Sequence, residues 1–123
     1  MGALLGTIVV DCRDPIELAD FWMDVLDWHV VDTDDDGAVE IGPKDQKHLS
    51  LLFQPVPEPK AVKNRLHLDL RPIGCDQRQE LERLLGCGAR RTDVGQGDET
   101  WIVLADPEDN EFCLLRGRGD ETA

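Results

Sequence analysis

The chain has 123 residues, a length that suits one domain with a sizeable core, and it carries 26 acidic against 13 basic side chains. The formal net charge of −13 repels phosphate backbones and anionic lipid surfaces, so we expect neither nucleic acid nor a membrane as a partner. Four cysteines without a Cys-x-x-Cys pair predict reduced thiols, and the lack of an export signal or a bilayer-spanning apolar stretch predicts a cytoplasmic protein.

The first half of the sequence reads as a strand, a helix and three more strands. A strand over about 5–11, rich in β-branched residues, ends at a polar turn. There Asp14, Pro15 and Glu17 form a capping pattern that predicts a helix running to about Asp27, with an apolar stripe that packs against a sheet. Further strands are expected at about 28–32, 38–41 and 48–54.

The second half repeats this order after a proline-rich connector at 55–63. Asp76 and Gln79 resemble a second capping box and predict a helix that ends near Leu85. Strands are expected at about 65–70, 90–94, 100–104 and 111–116. The polar residues 117–123 are expected to form a flexible tail.

Because the two halves share one element order, we predict two tandem βαβββ modules, at about 4–54 and 64–116, within a single α+β domain over 1–123. Two such modules suggest eight strands with the helices outside and a concave inner face. A concave face of this kind is where a ligand would be held.

Several phrases of the sequence carry a family signature: the turn at 10–15 that leads into Phe21-Trp22, the phrase at 25–28, the stretches 52–58 and 64–70, and the closing turn at 106–112. Together they resemble the vicinal oxygen chelate superfamily, which has the glyoxalase/bleomycin-resistance fold, and most of all its small glyoxalase-like domains of actinobacterial type. The resemblance implies that fold and a homodimer. It leaves the activity open, because the superfamily hosts isomerases, dioxygenases, epimerases, thiol transferases and non-catalytic drug binders.

The resemblance also implies where a metal would be held. Members that use a metal place ligands on the first and last strands of each half, and these positions map onto Thr7, Gln54, His67 and Cys113. Only His67 is a usual ligand, since Thr7 stands where a His is typical and Cys113 where a Glu is typical. We therefore assign no metal ligands and expect no cofactor; a divalent metal is allowed but disfavoured.

Alternation along the predicted strand places His67 and Asp69 on one face, with three leucines, Leu66, Leu68 and Leu70, on the other. If the leucines pack under a helix, the polar pair faces the concavity. His67 and Asp69 would then bind a ligand or act as acid and base, although a histidine that merely lines a cavity gives the same pattern.

Two further side chains are candidates for the cavity. Cys113 is read as an inert buried thiol unless His67 lowers its pKa. Trp101 follows the glycine-bearing stretch 95–100, and it would stack on a flat ligand, contact a second subunit or pack in the core.

Two functions are consistent with these observations. The first is metal-independent binding of a small molecule in the cavity, through Thr7, Gln54, His67, Trp101 and Cys113. The acidic charge favours a cationic or neutral ligand, although it is also typical of an adaptation for solubility. The second is a glyoxalase-type lyase, isomerase or transferase, or a dioxygenase-type enzyme, that uses an atypical metal site or His67 and Asp69 as acid and base.

Overall fold

The computed structural model describes residues 1–45, 49–92 and 100–120, and this part of the chain forms two helices and eight strands. The first half contains β1 (Thr7–Cys12), α1 (Pro15–Leu26), β2 (His29–Thr33), β3 (Val39–Gly42) and β4 (Ser50–Pro55). The second half contains β5 (Asp69–Leu70), α2 (Gln77–Cys87), β6 (Arg90–Arg91), β7 (Ile102–Ala105) and β8 (Glu111–Leu114). The predicted α+β class and the two tandem βαβββ modules are confirmed.

The chain divides into two compact units, Met1–Lys60 and Ala61–Ala123, and each unit holds one four-stranded sheet. The strand orders are β1-β4-β3-β2 and β5-β8-β7-β6, so the two sheets have the same topology. In each sheet the first strand is parallel to the last, and the other neighbouring strands are antiparallel. In both units the last strand therefore lies in the interior of the sheet, next to the first.

Helix α1 begins and ends as its sequence predicts. The Asp14 side chain accepts the backbone N–H of Glu17 at 3.1 Å, and Pro15 lies at the first helical position, where its missing N–H costs nothing. Asp27 closes the helix in the left-handed conformation. One apolar stripe of α1 is buried and the helix packs on β3 and β4; the stripe consists of Leu18, Ala19, Phe21, Trp22 and Val25.

Helix α2 has both halves of a capping box, because Asp76 accepts the N–H of Gln79 at 2.8 Å and Gln79 accepts the N–H of Asp76 at 3.0 Å. The helix ends at Gly88, whose φ of 117° is readily adopted by glycine. Within α2, Leu84 is fully buried. Glu80, on the same helix, is also buried, and its carboxylate accepts two hydrogen bonds from the Arg83 guanidinium. The second unit thus has its own core.

The strand predicted over 65–70 is wrong in its first four residues, since β5 consists of Asp69 and Leu70 alone. Just before β5 the Leu68 carbonyl accepts the Cys113 N–H at 2.9 Å, and further upstream the Asn64 backbone N–H donates to the Glu111 carboxylate at 2.9 Å, a side-chain contact and not a ladder hydrogen bond. Leu66 is also 87% exposed, so the condition that the three leucines pack under a helix is not met by this leucine.

The predicted flexible tail begins with hydrogen-bonded residues. The Gly119 N–H donates to the Pro72 carbonyl at 2.7 Å, and the Asp120 carboxylate accepts the Gly74 N–H at 3.1 Å. Residues 121–123, the end of the strand predicted at 90–94, the start of that predicted at 48–54, and positions 95–99 of the glycine-bearing stretch lie outside the described residues.

Within the described residues, neither helix has the length and apolar character needed to cross a lipid bilayer.

Candidate functional site

A cavity of about 400 Å³ lies within the second unit, on one face of its sheet. A volume of this size falls within the range of small-molecule pockets. The cavity is lined by side chains from β5, β7 and β8, from the segment before β5, and from the residues that directly precede β7 and follow β8: Lys63, His67, Asp69, Trp101, Val103, Glu111, Cys113 and Leu115.

The alternation of β8 explains which side chains reach the cavity. Glu111 and Cys113 face it, whereas the intervening Phe112 and the following Leu114 are buried on the opposite face. Cys113 pairs with Asp69 of β5 on one side and with Val103 of β7 on the other. The sheet register thus places an acidic, a thiol and an apolar side chain in one row across the cavity.

His67, Asp69 and Cys113 form a cluster within this cavity. The Nδ1 atom of His67 lies 3.6 Å from Oδ1 of Asp69 and 3.9 Å from Sγ of Cys113. The three potential ligand atoms all lie within 4.8 Å of one another. Cys113 is buried, whereas the His67 and Asp69 side chains are 42% and 51% exposed, so the thiol lies beneath a solvent-accessible polar pair.

The environment of Cys113 disfavours its thiolate. Burial raises the pKa of the Cys113 thiol, and the negative charge of Asp69 and a hydrogen bond to it raise it further, with only partial opposition from Lys63. The thiol is therefore protonated near neutral pH. A nucleophilic cysteine needs the opposite shift, so this geometry agrees with the inert thiol expected from the sequence.

Trp101 lies at the cavity. It is 36% exposed, and together with Val103 and Leu115 it gives the cavity an apolar wall. A partly exposed indole next to polar groups is a suitable surface on which a flat ligand can stack.

Glu111 and Lys63 line the cavity but were missed in the sequence analysis. One Glu111 carboxylate oxygen accepts the Asn64 N–H at 2.9 Å, and the Asn64 side-chain amide donates to the Glu111 carbonyl at 3.5 Å. These bonds fix the segment that carries Lys63. Period-two alternation with Cys113 is a signal that identifies Glu111 from sequence; no comparable pattern marks Lys63.

Thr7 and Gln54 belong to the first unit. The Ser50 hydroxyl donates to the Glu40 carboxylate at 2.6 Å, so Thr7 is the donor in its 3.0 Å contact with Ser50. Gln54 pairs with Asp11, four positions further along β4. The joint role of Thr7 and Gln54 with the second-unit residues stays a prediction.

The strand register changes which residue of the first unit corresponds to Cys113 of the second. Thr7 pairs with Ser50 just as Asp69 pairs with Cys113. Thr7 and Asp69 are as far apart in sequence as the two helix N-caps, Asp14 and Asp76. Ser50 and Cys113 are one residue further apart than that. Ser50, which the sequence analysis missed, is therefore the first-unit counterpart of Cys113.

A borderline metal ion fits the chemistry of the cluster better than a hard one. His67, Asp69 and Cys113 offer nitrogen, oxygen and sulfur, a mixed set that Zn²⁺ accepts and that the harder Mn²⁺ disfavours. Metal binding requires the thiolate, so the raised pKa of Cys113 weakens this fit without removing it.

Comparison with known proteins places the chain in a defined fold. The family model described as Glyoxalase-like domain matches residues 7–115. The fosfomycin resistance protein FosX from Mesorhizobium loti is similar in structure, with a TM-score of 0.68, 16% identity and coverage of 97% of this chain and 95% of that one. Among curated proteins, none matches the sequence.

Two further solved structures have the same fold. A mutant of FosX from Listeria monocytogenes, complexed with Mn(II) and a dihydroxypropylphosphonic acid, has a TM-score of 0.67, 12% identity and coverage of 98% and 94%. TnmS3, an antibiotic binding protein from Streptomyces sp. CB03234, has a TM-score of 0.64, 17% identity and coverage of 95% and 97%. At these identities the likeness shows the fold alone.

Proposed function

The chain belongs to the glyoxalase-like domain family, and from this premise we propose that it binds a small organic molecule in the cavity of its second unit. The observation that carries the proposal is the composition of that cavity. Its lining combines apolar side chains, which include Trp101 and Val103, with the polar pair His67 and Asp69 around a volume of about 400 Å³. Small-molecule sites combine these features, with apolar area for affinity and a few polar groups for orientation.

The similar structures are compatible with this function. TnmS3 is described as an antibiotic binding protein, and the Listeria FosX mutant is complexed with a small phosphonic acid. A protonated Cys113 thiol is also compatible with non-catalytic binding, because a protonated thiol is a poor nucleophile. In this proposal Trp101 stacks on the ligand, His67 and Asp69 orient it, and Cys113 forms the floor. Thr7 and Gln54 stay proposed ligand contacts, and a homodimer stays the proposed assembly.

The binding proposal predicts a tryptophan fluorescence signal that comes from Trp101. In titrations with a library of small aromatic compounds, cationic, neutral and anionic, we expect at least one saturable change. The Trp101→Phe variant should lose most of that change, because Trp101 lines the cavity whereas Trp22 is buried in the core of the first unit.

The matched control for this titration is Trp28→Phe, since Trp28 follows the C-cap of α1 in the first unit and does not line the cavity. That variant should keep the full ligand-dependent change. Flat titrations across the library, or an unchanged signal in Trp101→Phe, would contradict binding at this cavity.

A second candidate is an enzyme of the glyoxalase type, favoured by the 3.6 Å separation of His67 Nδ1 and Asp69 Oδ1. These two side chains would act as acid and base on a bound substrate. In the metal-dependent form, His67, Asp69 and Cys113 would hold the ion, which would supply Lewis-acid polarisation of a substrate oxygen. We propose that the chain does not depend on a metal, because metal binding requires the Cys113 thiolate and this thiol stays protonated near neutral pH.

Metal-independent binding predicts the elemental content of the purified protein. We expect less than about a tenth of an equivalent of any transition metal, because a site that binds tightly would retain its ion through purification. The measurement is mass-spectrometric elemental analysis after dialysis against metal-free buffer. About one equivalent of metal in the native chain, absent from a Cys113→Ser variant, would favour the metal-dependent alternative instead.

A further inference from the structure

The charges around the cavity are unequal. Among its lining residues, Asp69 and Glu111 carry carboxylates and Lys63 carries the only ammonium group. The lining also has an apolar part, formed by Trp101, Val103 and Leu115, and the whole chain has a formal charge of −13. Low-dielectric walls strengthen the field of nearby charges, so an excess of negative charge here attracts cations into the cavity.

The three charged groups differ in their hydrogen bonds to other residues and in their exposure to solvent. One oxygen of Glu111 accepts the Asn64 N–H at 2.9 Å, and the Lys63 ammonium donates to the Asn64 carbonyl at 3.4 Å. Asp69 is half-exposed; it accepts a hydrogen bond from the Cys113 thiol, and its contact with His67 is 3.6 Å, longer than a strong hydrogen bond. The Asp69 carboxylate is thus the anionic group best placed to receive a charged ligand.

The state of Cys113 is consistent with a negative local potential. The Asp69 charge is one of the causes that raise the pKa of the Cys113 thiol, after burial. An anionic ligand would meet the same repulsion as the thiolate. Recognition of phosphate or phosphonate normally uses several cationic side chains or a metal, and among the described lining residues only Lys63 is cationic.

Resting on the proposed binding function, we infer that this cavity selects organic cations that carry a flat apolar ring, with the cationic nitrogen at Asp69 and the ring against Trp101. The indole face also attracts the cation through its quadrupole, so stacking and charge act on the same ligand. The remaining apolar wall, Val103 and Leu115, receives the rest of the ring.

The test uses three probes of similar shape and different charge: N-methylquinolinium, 1-methylnaphthalene and 1-naphthylphosphonate. Equilibrium dialysis of the full chain measures each dissociation constant. We expect the cation to bind about tenfold or more tightly than the neutral probe, because a single close charge pair with Asp69 in a partly desolvated site contributes about that much affinity. The anion should bind more weakly than both.

The Asp69→Asn variant isolates the charge of that side chain. It should weaken binding of the cation by about 5- to 30-fold and leave the neutral probe within about twofold of the native value. Glu82→Gln is the matched control, because Glu82 is exposed on α2 and does not line the cavity, yet its loss changes the net charge equally. This control should change binding of the cation less than about twofold.

The outcomes separate the inference from the function on which it rests. Equal affinity for the cation and the neutral probe overturns the charge preference while leaving small-molecule binding intact. Equal losses in Asp69→Asn and Glu82→Gln overturn the assignment to Asp69, since they indicate attraction by the whole surface. Binding of none of the three probes, together with flat fluorescence titrations of the library, overturns the binding function itself. The unfolding midpoint of each variant shows that the comparison is made between folded proteins.

Discussion

Replacing Phe112 by Ala is expected to lower the free energy of unfolding by about 3–5 kcal/mol, the largest effect we predict for a single substitution in the second unit. Phe112 is 1% exposed and lies on the face of β8 opposite the cavity. Truncation removes the transfer free energy of the ring and leaves a void that the sheet fills only in part. Chemical denaturation followed by circular dichroism measures the change.

An exposed apolar residue of the same unit provides the control. Leu66 is 87% exposed, so Leu66→Ala should change the free energy of unfolding by less than about 0.5 kcal/mol. A loss below about 1 kcal/mol in Phe112→Ala would mean that this face of β8 is not packed. The two faces of one strand would then lack the division between core and cavity on which the site depends.

The helices were predictable because their signals are local. Asp14 and Asp76 each place a carboxylate three residues before an N–H that needs a partner, and the structure shows both contacts. The apolar stripe of α1 has a period that only a helix presents on one side. The element order followed from these signals, and the repeated order led to the tandem βαβββ fold.

The start of β5 was not predictable in the same way, because its partner is distant in sequence. The alternation of Leu66, His67 and Leu68 is typical of a strand, yet β5 consists of Asp69 and Leu70, and the Asn64 N–H before it donates to the Glu111 side chain, far along the chain. A local sequence pattern indicates the secondary structure that a segment prefers. It does not indicate which distant side chain forms a hydrogen bond with the backbone there.

The candidate site was predictable to the extent that it depends on alternation. His67, Asp69, Trp101 and Cys113 were all named from sequence, and the structure brings these four to one cavity. The pairing of Thr7 with Ser50 escaped prediction, because strand register depends on long-range packing and turn lengths. The charge balance of the cavity likewise needed the structure, since Lys63 lies in a segment without regular alternation.

The turn between β7 and β8 positions the strand that carries Glu111 and Cys113. The Asp106 N–H donates to the Asn110 carbonyl at 3.0 Å, and the Asp109 N–H donates to the Asp106 carbonyl at 2.9 Å. The Asp106 side chain is 1% exposed, and one of its oxygens accepts the N–H groups of Glu108 and Asn110 at 2.9 and 3.0 Å. A single buried carboxylate therefore organises the turn.

Asp106→Ala is expected to lower the free energy of unfolding by about 2–3 kcal/mol, the second largest effect we predict. The substitution removes a charged acceptor from two backbone N–H groups and from the Asn110 side-chain amide, and hydrogen bonds to charged groups are the stronger kind. Denaturant titration measures the loss. Because the turn fixes the start of β8, binding of the cationic probe at the cavity should weaken as well.

Asp106→Asn separates the geometry of this acceptor from its charge. Asparagine keeps one oxygen for the N–H groups of Glu108 and Asn110 but replaces the other with an amide, which opposes the Asn110 amide that donates to Oδ2 of Asp106 at 2.9 Å. We expect this variant to lose about 1 kcal/mol, half or less of the loss in Asp106→Ala. Equal losses in the two variants would mean that the charge or the second oxygen, which accepts from the Asn110 amide, and not the oxygen that accepts the two N–H groups, holds the turn. A cavity that kept its full affinity in a destabilised Asp106→Ala protein would show that β8 positions Cys113 and Glu111 without help from the turn.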